Sequence, residues 1–150
     1  MERLSFLVDG ELYAVDATLV ERVVRNIPLT PIPAVPCAVV GIANLKGKVV
    51  TLLSLSEMLG RPKGPGAVYA VIFKPTSKGN DQMGLMVDRP DELILVDDED
   101  ILPPDSPENR EETLIISGLA PVADRHCKIV DVGYIASHFR DQATLQGQSS

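Results

Sequence analysis

The stretch from Pro28 to Gly60 constrains the fold of this 150-residue chain more than any other. Four prolines, at positions 28, 31, 33 and 36, fix their own φ angles and push the preceding residues into extended geometry, which excludes a helix or a central strand there. Two apolar runs rich in β-branched residues follow at 38–45 and 48–55, and Gly47 between them predicts a hairpin of two largely buried strands. Residues 55–60 then have the serine start and glycine stop of a short helical turn.

The amino-terminal part of the chain predicts a second hairpin. Residues 4–8 and 11–15 alternate apolar and polar side chains, and the Asp9-Gly10 pair between them supplies the positive φ angles of a two-residue turn. Asp16 is placed to cap a short turn, and the valines at 20, 23 and 24 mark the next strand. Three strands are therefore expected before the proline-rich stretch begins.

A linker rich in proline and glycine at residues 61–66 follows the central hairpin. It predicts an internal boundary, near residues 60–67, between two intimately packed subdomains of one domain spanning residues 1–141. The later strands are predicted at residues 68–73, 82–87, 91–96, 113–122 and 126–130, with the first three forming a meander. A closing helix at 132–141, with Ile135, Ala136 and Phe139 on one face, and a flexible polar tail at 142–150 complete the prediction.

Composition and charge exclude several classes of function. The formal net charge of −7 argues against nucleic acid as a partner, because binding to phosphates relies on clustered lysine and arginine. With 4% aromatic residues and no tryptophan, the core must be built from aliphatic side chains, which favours many short strands. No apolar run approaches the ~20 residues of a membrane span and the amino terminus has no apolar signal core, so we expect a cytoplasmic protein without direct membrane insertion. Cys37 and Cys127 are expected to be buried thiols.

Two stretches superficially match ligand-binding loops. Gly41, Gly47 and Lys48 are similar to a phosphate-binding loop, but the glycines are one residue too far apart and Val49 stands where a serine or threonine would meet magnesium. The acidic run at 97–100 lacks the central glycine and the distant glutamate of a calcium-binding loop. A hairpin glycine with a flanking lysine and an exposed connection are therefore the favoured interpretations.

No constellation of residues indicates catalysis or a cofactor. His126 and Cys127 are neighbours on a predicted strand and point to opposite faces, which prevents them from chelating one ion together. His138 has no adjacent acid, no serine lies in a G-x-S-x-G turn, and the carboxylates are scattered through loops. We therefore expect a protein that is not an enzyme and that holds no cofactor or metal.

Three blocks of sequence, taken together, resemble the CheW-like domain of bacterial chemotaxis coupling proteins. The blocks are residues 41–47 (GIANLKG) with the strand after them, 84–88 (GLMVD) with the strand to 96 and ILPP at 101–104, and 116–120 (ISGLA) leading to KIVD at 128–131. The resemblance extends from about Phe6 to about Phe139. It implies a mainly β fold of two small SH3-like, five-stranded β-barrel subdomains that pack on a shared apolar interface.

The resemblance implies a non-enzymatic signalling adaptor. Members of this family bind the regulatory domain of a CheA-type histidine kinase through one barrel, and the cytoplasmic hairpin tip of a chemoreceptor through a groove between the barrels. The second contact is a case of helix-in-groove recognition. Such a protein is cytoplasmic and associates with membrane receptor arrays through its partners. The alternative is a CheW-like binding module that serves a different partner or pathway, such as twitching motility or surface sensing. A β-barrel module for nucleic acid or another acidic ligand is disfavoured by the acidic balance.

The resemblance also assigns residues to the two interfaces. Receptor binding is expected at Val20, Arg22, Gly41, Asn44, Lys46 and Leu93, and kinase binding at Gly47, Lys48 and Tyr69. From the residue types alone, the same positions would be core residues, turn residues or a solvated charged rim. Two positions depart from the family pattern. Lys46 replaces the usual arginine, and Arg22 stands where many members carry an acid, which reverses the charge offered to a partner.

Overall fold

Ten strands lie within the residues that the structure, a computed structural model, describes: 1–30, 39–60, 68–75, 82–103 and 114–137. They follow the apolar runs of the sequence, most of them rich in β-branched residues. The strands are β1 (Glu2–Val8), β2 (Glu11–Asp16), β3 (Val20–Arg25), β4 (Val39–Leu45), β5 (Lys48–Ser54), β6 (Tyr69–Phe73), β7 (Gln82–Val87), β8 (Arg89–Leu95), β9 (Ile116–Val122) and β10 (Arg125–Val130).

Helical structure in the described ranges is short. It consists of α1 (Leu55–Met58), the helical residues 114–115, α2 (residues 132–137) and the 3-10 turns Ala17–Leu19 and Asp98–Asp100. None of these helices has the length and apolar character needed to cross a membrane. Several predictions fall outside the described residues: those for Pro31, Pro33, Pro36, Cys37, His138, Phe139, the linker at 61–66 and the tail at 142–150.

The strands form two five-stranded sheets. Sheet A has the order β8-β1-β2-β10-β9, and sheet B has the order β3-β6-β7-β5-β4. Neighbouring strands are antiparallel except for one parallel pair in each sheet, β2 with β10 and β5 with β7. The predicted fold class, mainly β with two five-stranded units and short helical turns, is confirmed.

Both predicted hairpins turn on two residues with positive φ. Asp9 and Gly10 have φ angles of 52° and 78°, and Lys46 and Gly47 have 53° and 84°. Two successive positive φ angles give the turn a twist that matches the twist of the flanking strands. The central hairpin is less buried than predicted, because residues 46–49 at its tip are exposed.

The two predicted caps are also present, one of them at a different residue. The side chain of Asp16 accepts a hydrogen bond from the backbone N–H of Thr18 at 3.0 Å, as predicted. The short helix α1 is capped by Ser54, whose hydroxyl accepts from the Glu57 N–H at 3.3 Å, so the capping serine lies just before the predicted segment. Gly60, with φ 72°, follows α1 as predicted.

The predicted meander of the sixth, seventh and eighth strands is wrong. β6 and β7 pair in sheet B, whereas β8 lies at the edge of sheet A against β1. The chain leaves sheet B at Asp88, whose backbone N–H donates to the Leu7 carbonyl at 3.0 Å. It crosses the other way at the turn Ala17–Leu19, between β2 and β3. The strands on either side of residues 61–67, β5 and β6, belong to the same sheet.

Three clusters of buried side chains hold the sheets together. One contains residues of sheet A, such as Leu12, Ala14 and Cys127. A second contains residues of sheet B, such as Leu52 and Ile72. The third and largest draws on both sheets, and its members are Phe6, Val8, Tyr13, Val15, Val39, Leu53, Leu55, Met58, Leu59, Val71, Phe73, Leu85, Val87, Ile115, Ile116, Val130, Val132 and Ile135. Along β1, β2 and β6, alternate residues belong to the sheet's own cluster and to the shared one, which provides the apolar interface between the two units.

The second half of the chain repeats the first. The order β1-β2-β3-β4-β5-α1 recurs as β6-β7-β8-β9-β10-α2. Each sheet takes a hairpin from one half and three strands from the other: β1-β2 joins β8-β9-β10, and β6-β7 joins β3-β4-β5. The two halves are therefore interleaved, and each sheet needs both of them.

The repeat extends to individual residues. Val39-Val40-Gly41-Ile42-Ala43 of β4 corresponds to Ile116-Ser117-Gly118-Leu119-Ala120 of β9, with a register shift at the same place. Isolated bridges join Ile42 to Thr30 and, equivalently, Leu119 to Leu102, each linking the chain beyond one edge strand to the opposite edge strand of the same sheet. The capping residue Ser54 has its counterpart in Asp131, whose carboxylate accepts from the Tyr134 N–H at 3.0 Å.

Candidate functional site

Two of the predicted receptor-binding residues lie on β3, at one edge of sheet B. Val20 is half-buried and packs on the core shared by the sheets. Arg22 is also half-buried and is paired with Ile72 of β6, after a bulge that inserts one residue between Val20 and Arg22. The bulge turns Arg22 away from the shared core, because it breaks the alternation of side chains along the strand.

A row of directly paired residues joins Arg22 to Gly41 at the opposite edge of sheet B. The pairs are Arg22 with Ile72, Ile72 with Gly84, Gly84 with Leu52, and Leu52 with Gly41. The row is tight at Gly84, where an added Cβ would lie 2.7 Å from Leu52 Cδ2 and 2.8 Å from Ile72 Cδ1. Arg22 and Gly41 therefore lie at the same level of the sheet, on its two edge strands.

The tip of the β4-β5 hairpin brings together four of the predicted residues. Asn44 Oδ1 accepts a hydrogen bond from the Gly47 N–H at 2.9 Å, which fixes the turn. The turn exposes Lys46, Gly47 and Lys48 to solvent. Asn44 thus organises the turn, and the two lysines give it positive charge.

Leu93 lies apart from the other receptor-binding residues, on edge strand β8 of sheet A. It pairs with Leu4 of β1 and is 58% exposed, and Leu95 on the same strand is 83% exposed. Leu93 is the counterpart, in the internal repeat, of Val23 on β3, which is 36% exposed. Each sheet therefore presents an apolar side chain at the equivalent place on an edge strand.

The predicted kinase-binding residues do not all lie together. Tyr69 is paired with Arg25, whose guanidinium carbon is 5.7 Å from the ring centroid, and with Val87. The pairing of β7 with β5 puts Tyr69 near the Ser54 end of β5, whereas Lys48 begins that strand. Six residues of strand span about 20 Å. Gly47 and Lys48 therefore form one surface at the hairpin tip, and Tyr69 lies toward the other end of sheet B.

A clear pKa shift occurs at Cys127, away from the exposed turn. Burial raises the pKa of the Cys127 thiol to about 12, with an opposing effect of Arg3 and a further increase from Asp91. Cys127 is a buried thiol, as predicted, and His126 beside it is exposed, which confirms that the two side chains point to opposite faces. A thiol with so high a pKa is a poor nucleophile.

Sequence reasoning missed one feature of the site, the unpaired state of Arg22. Its Nε atom is buried, and no hydrogen-bond partner for it is found among the described residues. The internal repeat was missed too, although the sequence carries a signal for it. The segments VVGIA at 39–43 and ISGLA at 116–120 share a glycine followed two residues later by an alanine.

Comparison with known proteins gives a consistent result. The CheW-like domain family matches residues 2–140. The chemotaxis protein CheW of Rhizobium meliloti is 31% identical over 102 residues, which are 68% of this chain and 65% of the relative. The probable chemotaxis protein CheW of Rhizobium etli is 24% identical over 95% of this chain and 91% of its own.

A solved structure matches the fold as well. The crystal structure of the scaffolding protein TtCheW from Thermoanaerobacter tengcongensis has a TM-score of 0.76 and 28% sequence identity. The match covers 87% of this chain and 88% of that one. By contrast, the aligned part of this chain spans just under two thirds of the length of the Rhizobium meliloti relative.

Proposed function

Because the chain belongs to the CheW-like domain family, we propose that it couples chemoreceptors to a CheA-type histidine kinase in a chemotaxis or chemotaxis-like array. Members of this family are non-catalytic scaffolding proteins, which confirms the prediction that the chain is not an enzyme. The observation that carries the proposal is the exposed, preorganised turn at Lys46-Gly47-Lys48, inside the sequence block that resembles the family.

The receptor surface in this proposal combines apolar and charged positions. Val20 and Leu93 supply apolar contact from the edge strands of the two sheets, and Arg22 and Lys46 supply positive charge. A helical hairpin tip presents a continuous face. It can therefore bind such a surface through apolar anchor residues, with a few polar contacts that set its register. Because both of these side chains are cationic, the surface favours a receptor tip with acidic side chains at its rim.

The kinase surface in this proposal is the β4-β5 turn. Gly47 and Lys48 are exposed there, and the hydrogen bond from the Gly47 N–H to Asn44 fixes the backbone of the turn. Because the turn is already ordered, it loses little conformational entropy when a partner binds. Tyr69, whose ring is covered by Arg25, contributes a separate contact nearer the other end of the sheet.

The test measures affinity for both partners in parallel. The full chain is titrated with a receptor hairpin-tip fragment and with the kinase regulatory domain of the same organism. Lys46→Glu should weaken receptor binding, with a loss that shrinks at high salt, because exposed charges are screened beyond ~8 to 10 Å. The matched control Lys46→Arg keeps the charge and should bind at least as well as the parent, since a guanidinium can grip a carboxylate with two hydrogen bonds.

The outcomes separate the two candidate functions. Binding of the parent to both partners supports the coupling function. Binding to a kinase regulatory domain from a motility or surface-sensing system, but not to the chemotaxis kinase, would assign the chain to that other pathway. If the parent binds neither a receptor tip nor any kinase regulatory domain of the organism, the coupling function is refuted.

A further inference from the structure

Two arginines in the described residues have a buried Nε atom without a hydrogen-bond partner, one in each sheet. They are Arg3 of β1 and Arg22 of β3. A buried N–H that makes no hydrogen bond carries the full cost of its lost contact with water. Such groups are rare in folded proteins, so each calls for a physical explanation.

Arg3 has an ionic partner within its own chain. The residue is 8% exposed, and its Nη2 lies 3.9 Å from Asp98 Oδ1. Its paired residue on the edge strand β8 is Ile94. The charge of Arg3 therefore has a counter-ion in its own chain, although its Nε has no hydrogen-bond partner among the described residues.

Arg22 is different. Within the described part of the chain it makes no ion pair, and the neighbouring acid, Glu21, is engaged by the side-chain amide of Gln82. Arg22 is half-buried, so part of the residue reaches the surface while its Nε remains covered. Among the described residues, nothing satisfies this donor or balances the charge of this edge-strand arginine.

The internal repeat provides a comparison inside the same molecule. The counterpart of Arg22 is Glu92, which follows an equivalent bulge on β8. There Ser5 Oγ accepts from the Glu92 N–H at 3.0 Å and donates to the Glu92 carbonyl at 2.7 Å, so the bulge is completed by the chain itself. The counterpart of Ser5 is Ile72, which has no polar group to offer Arg22.

We propose that Arg22 is a poised anchor that swings away from sheet B to grip a carboxylate of the receptor tip. In that position Nε and a terminal nitrogen donate side by side to the two carboxylate oxygens, which relieves the unsatisfied donor and balances the charge together. The inference rests on the proposed coupling function and deepens it. It names an acidic side chain as the group that the partner brings to β3.

The test uses Arg22→Met in the full chain, because methionine keeps an unbranched apolar stem and removes the unsatisfied donor. Affinity for the hairpin-tip fragment of a chemoreceptor from the same organism should fall about 10- to 100-fold, the value of losing charge-assisted hydrogen bonds. The same variant should melt roughly 2 to 5 °C higher than the parent, since a buried unpaired group is gone. Arg22→Lys, which keeps the charge but has no Nε fork, should bind with intermediate affinity.

Arg3→Met is the matched control, because it also removes a buried unpaired Nε. It should change the melting temperature without changing receptor affinity. On the partner side, each acid of the tip fragment is replaced by its amide. One replacement should reproduce the loss seen with Arg22→Met, and the two changes together should cost little more than either alone.

Two results would overturn the inference while leaving the coupling function intact. One is a parent that binds the tip and a folded Arg22→Met that binds it equally well. The other is an Arg22→Met protein that is less stable than the parent, which would make Arg22 a structural residue. A parent that fails to bind the tip refutes the coupling function itself.

Discussion

Gly118 of β9 has no room for a larger side chain. A Cβ built there would overlap Ile101 Cγ2 and would lie 2.9 Å from the carbonyl oxygen of Leu102. That oxygen is not free to move, because it accepts the Leu119 N–H at 2.9 Å while the Leu102 N–H donates to the Leu119 carbonyl at 2.7 Å. Gly118→Ala must therefore displace Ile101 and spread the bridge that joins the chain beyond β8 to β9.

The size of the effect follows from two contributions. Overpacking of a tight site costs about 1 to 3 kcal/mol, and weakening one backbone hydrogen bond adds about 0.5 to 1.5 kcal/mol. The free energy of unfolding should therefore fall by roughly 2 to 4 kcal/mol. For a chain of this size that corresponds to a melting temperature lower by about 5 to 15 °C.

Gly133→Ala is the matched control, since it makes the same chemical change in α2. The atom nearest to its Cβ is Asp131 Oδ1 at 3.5 Å, an ordinary van der Waals contact, and alanine is the better helix former by up to about 1 kcal/mol. This variant should be as stable as the parent or slightly more so. Urea and thermal unfolding, followed by circular dichroism, measure both variants. Ordinary surface substitutions change the free energy of unfolding by roughly 0.5 kcal/mol or less. A Gly118→Ala protein whose free energy of unfolding differs from that of the parent by no more than this would refute the predicted clash.

Three further predictions concern the turn, the thiol and the repeat. Gly47 has φ 84°, and an added Cβ would lie in open space. Gly47→Val should therefore lower the free energy of unfolding by about 1 kcal/mol through backbone strain alone, and it should weaken kinase binding. If the folded variant binds the kinase with unchanged affinity, Gly47 does not belong to that surface. In a Cys37→Ser background, Cys127 should react with a thiol reagent at pH 8 only on unfolding, because its pKa is about 12, and rapid reaction of the native protein would contradict this. Fragments 1–60 and 61–150 should each lack cooperative unfolding alone and regain it when mixed, since each sheet needs both; a fragment that folds by itself would disprove the interleaving.

Local elements were predictable because their signals are local. The Asp9-Gly10 turn and the Lys46-Gly47 turn need only residues that accept positive φ between two alternating runs. The cap at Asp16 likewise depends on a side chain and a backbone N–H two residues away. These interactions are complete within a few residues, so the sequence contains everything that decides them.

Strand partners were not predictable in the same way. A period-2 pattern identifies a strand and its buried face, but it does not say which sheet the strand joins. β8 follows β7 after one residue, yet it pairs with β1 some 85 residues away, with Ser5 filling the bulge beside Glu92. Pro90 within β8 was the available signal, because a proline inside a strand indicates an edge position.

The candidate site depended still more on information beyond local pattern. Residue types alone gave Val20, Leu93 and Lys46 no role beyond core, edge or rim, and their assignment came from family resemblance. The structure adds the hydrogen bond that makes Asn44 part of the turn, and it separates Tyr69 from Lys48. Burial of the Arg22 Nε depends on packing in three dimensions, so no sequence pattern would have indicated it.

The interleaved repeat explains how one framework provides two unlike edges. Each half contributes an edge strand with a bulge, and the bulge residue is Arg22 in one half and Glu92 in the other. At Glu92 the serine of the neighbouring strand completes the hydrogen bonds, whereas at Arg22 the neighbouring residue is Ile72. At Glu92 the paired strand therefore completes the backbone hydrogen bonds of the bulge, whereas at Arg22 the paired residue has no polar side chain and the Nε has no partner among the described residues. Because both sheets share the core formed by the two halves, that open edge is presented on a rigid support, which is what selective binding by a few polar groups requires.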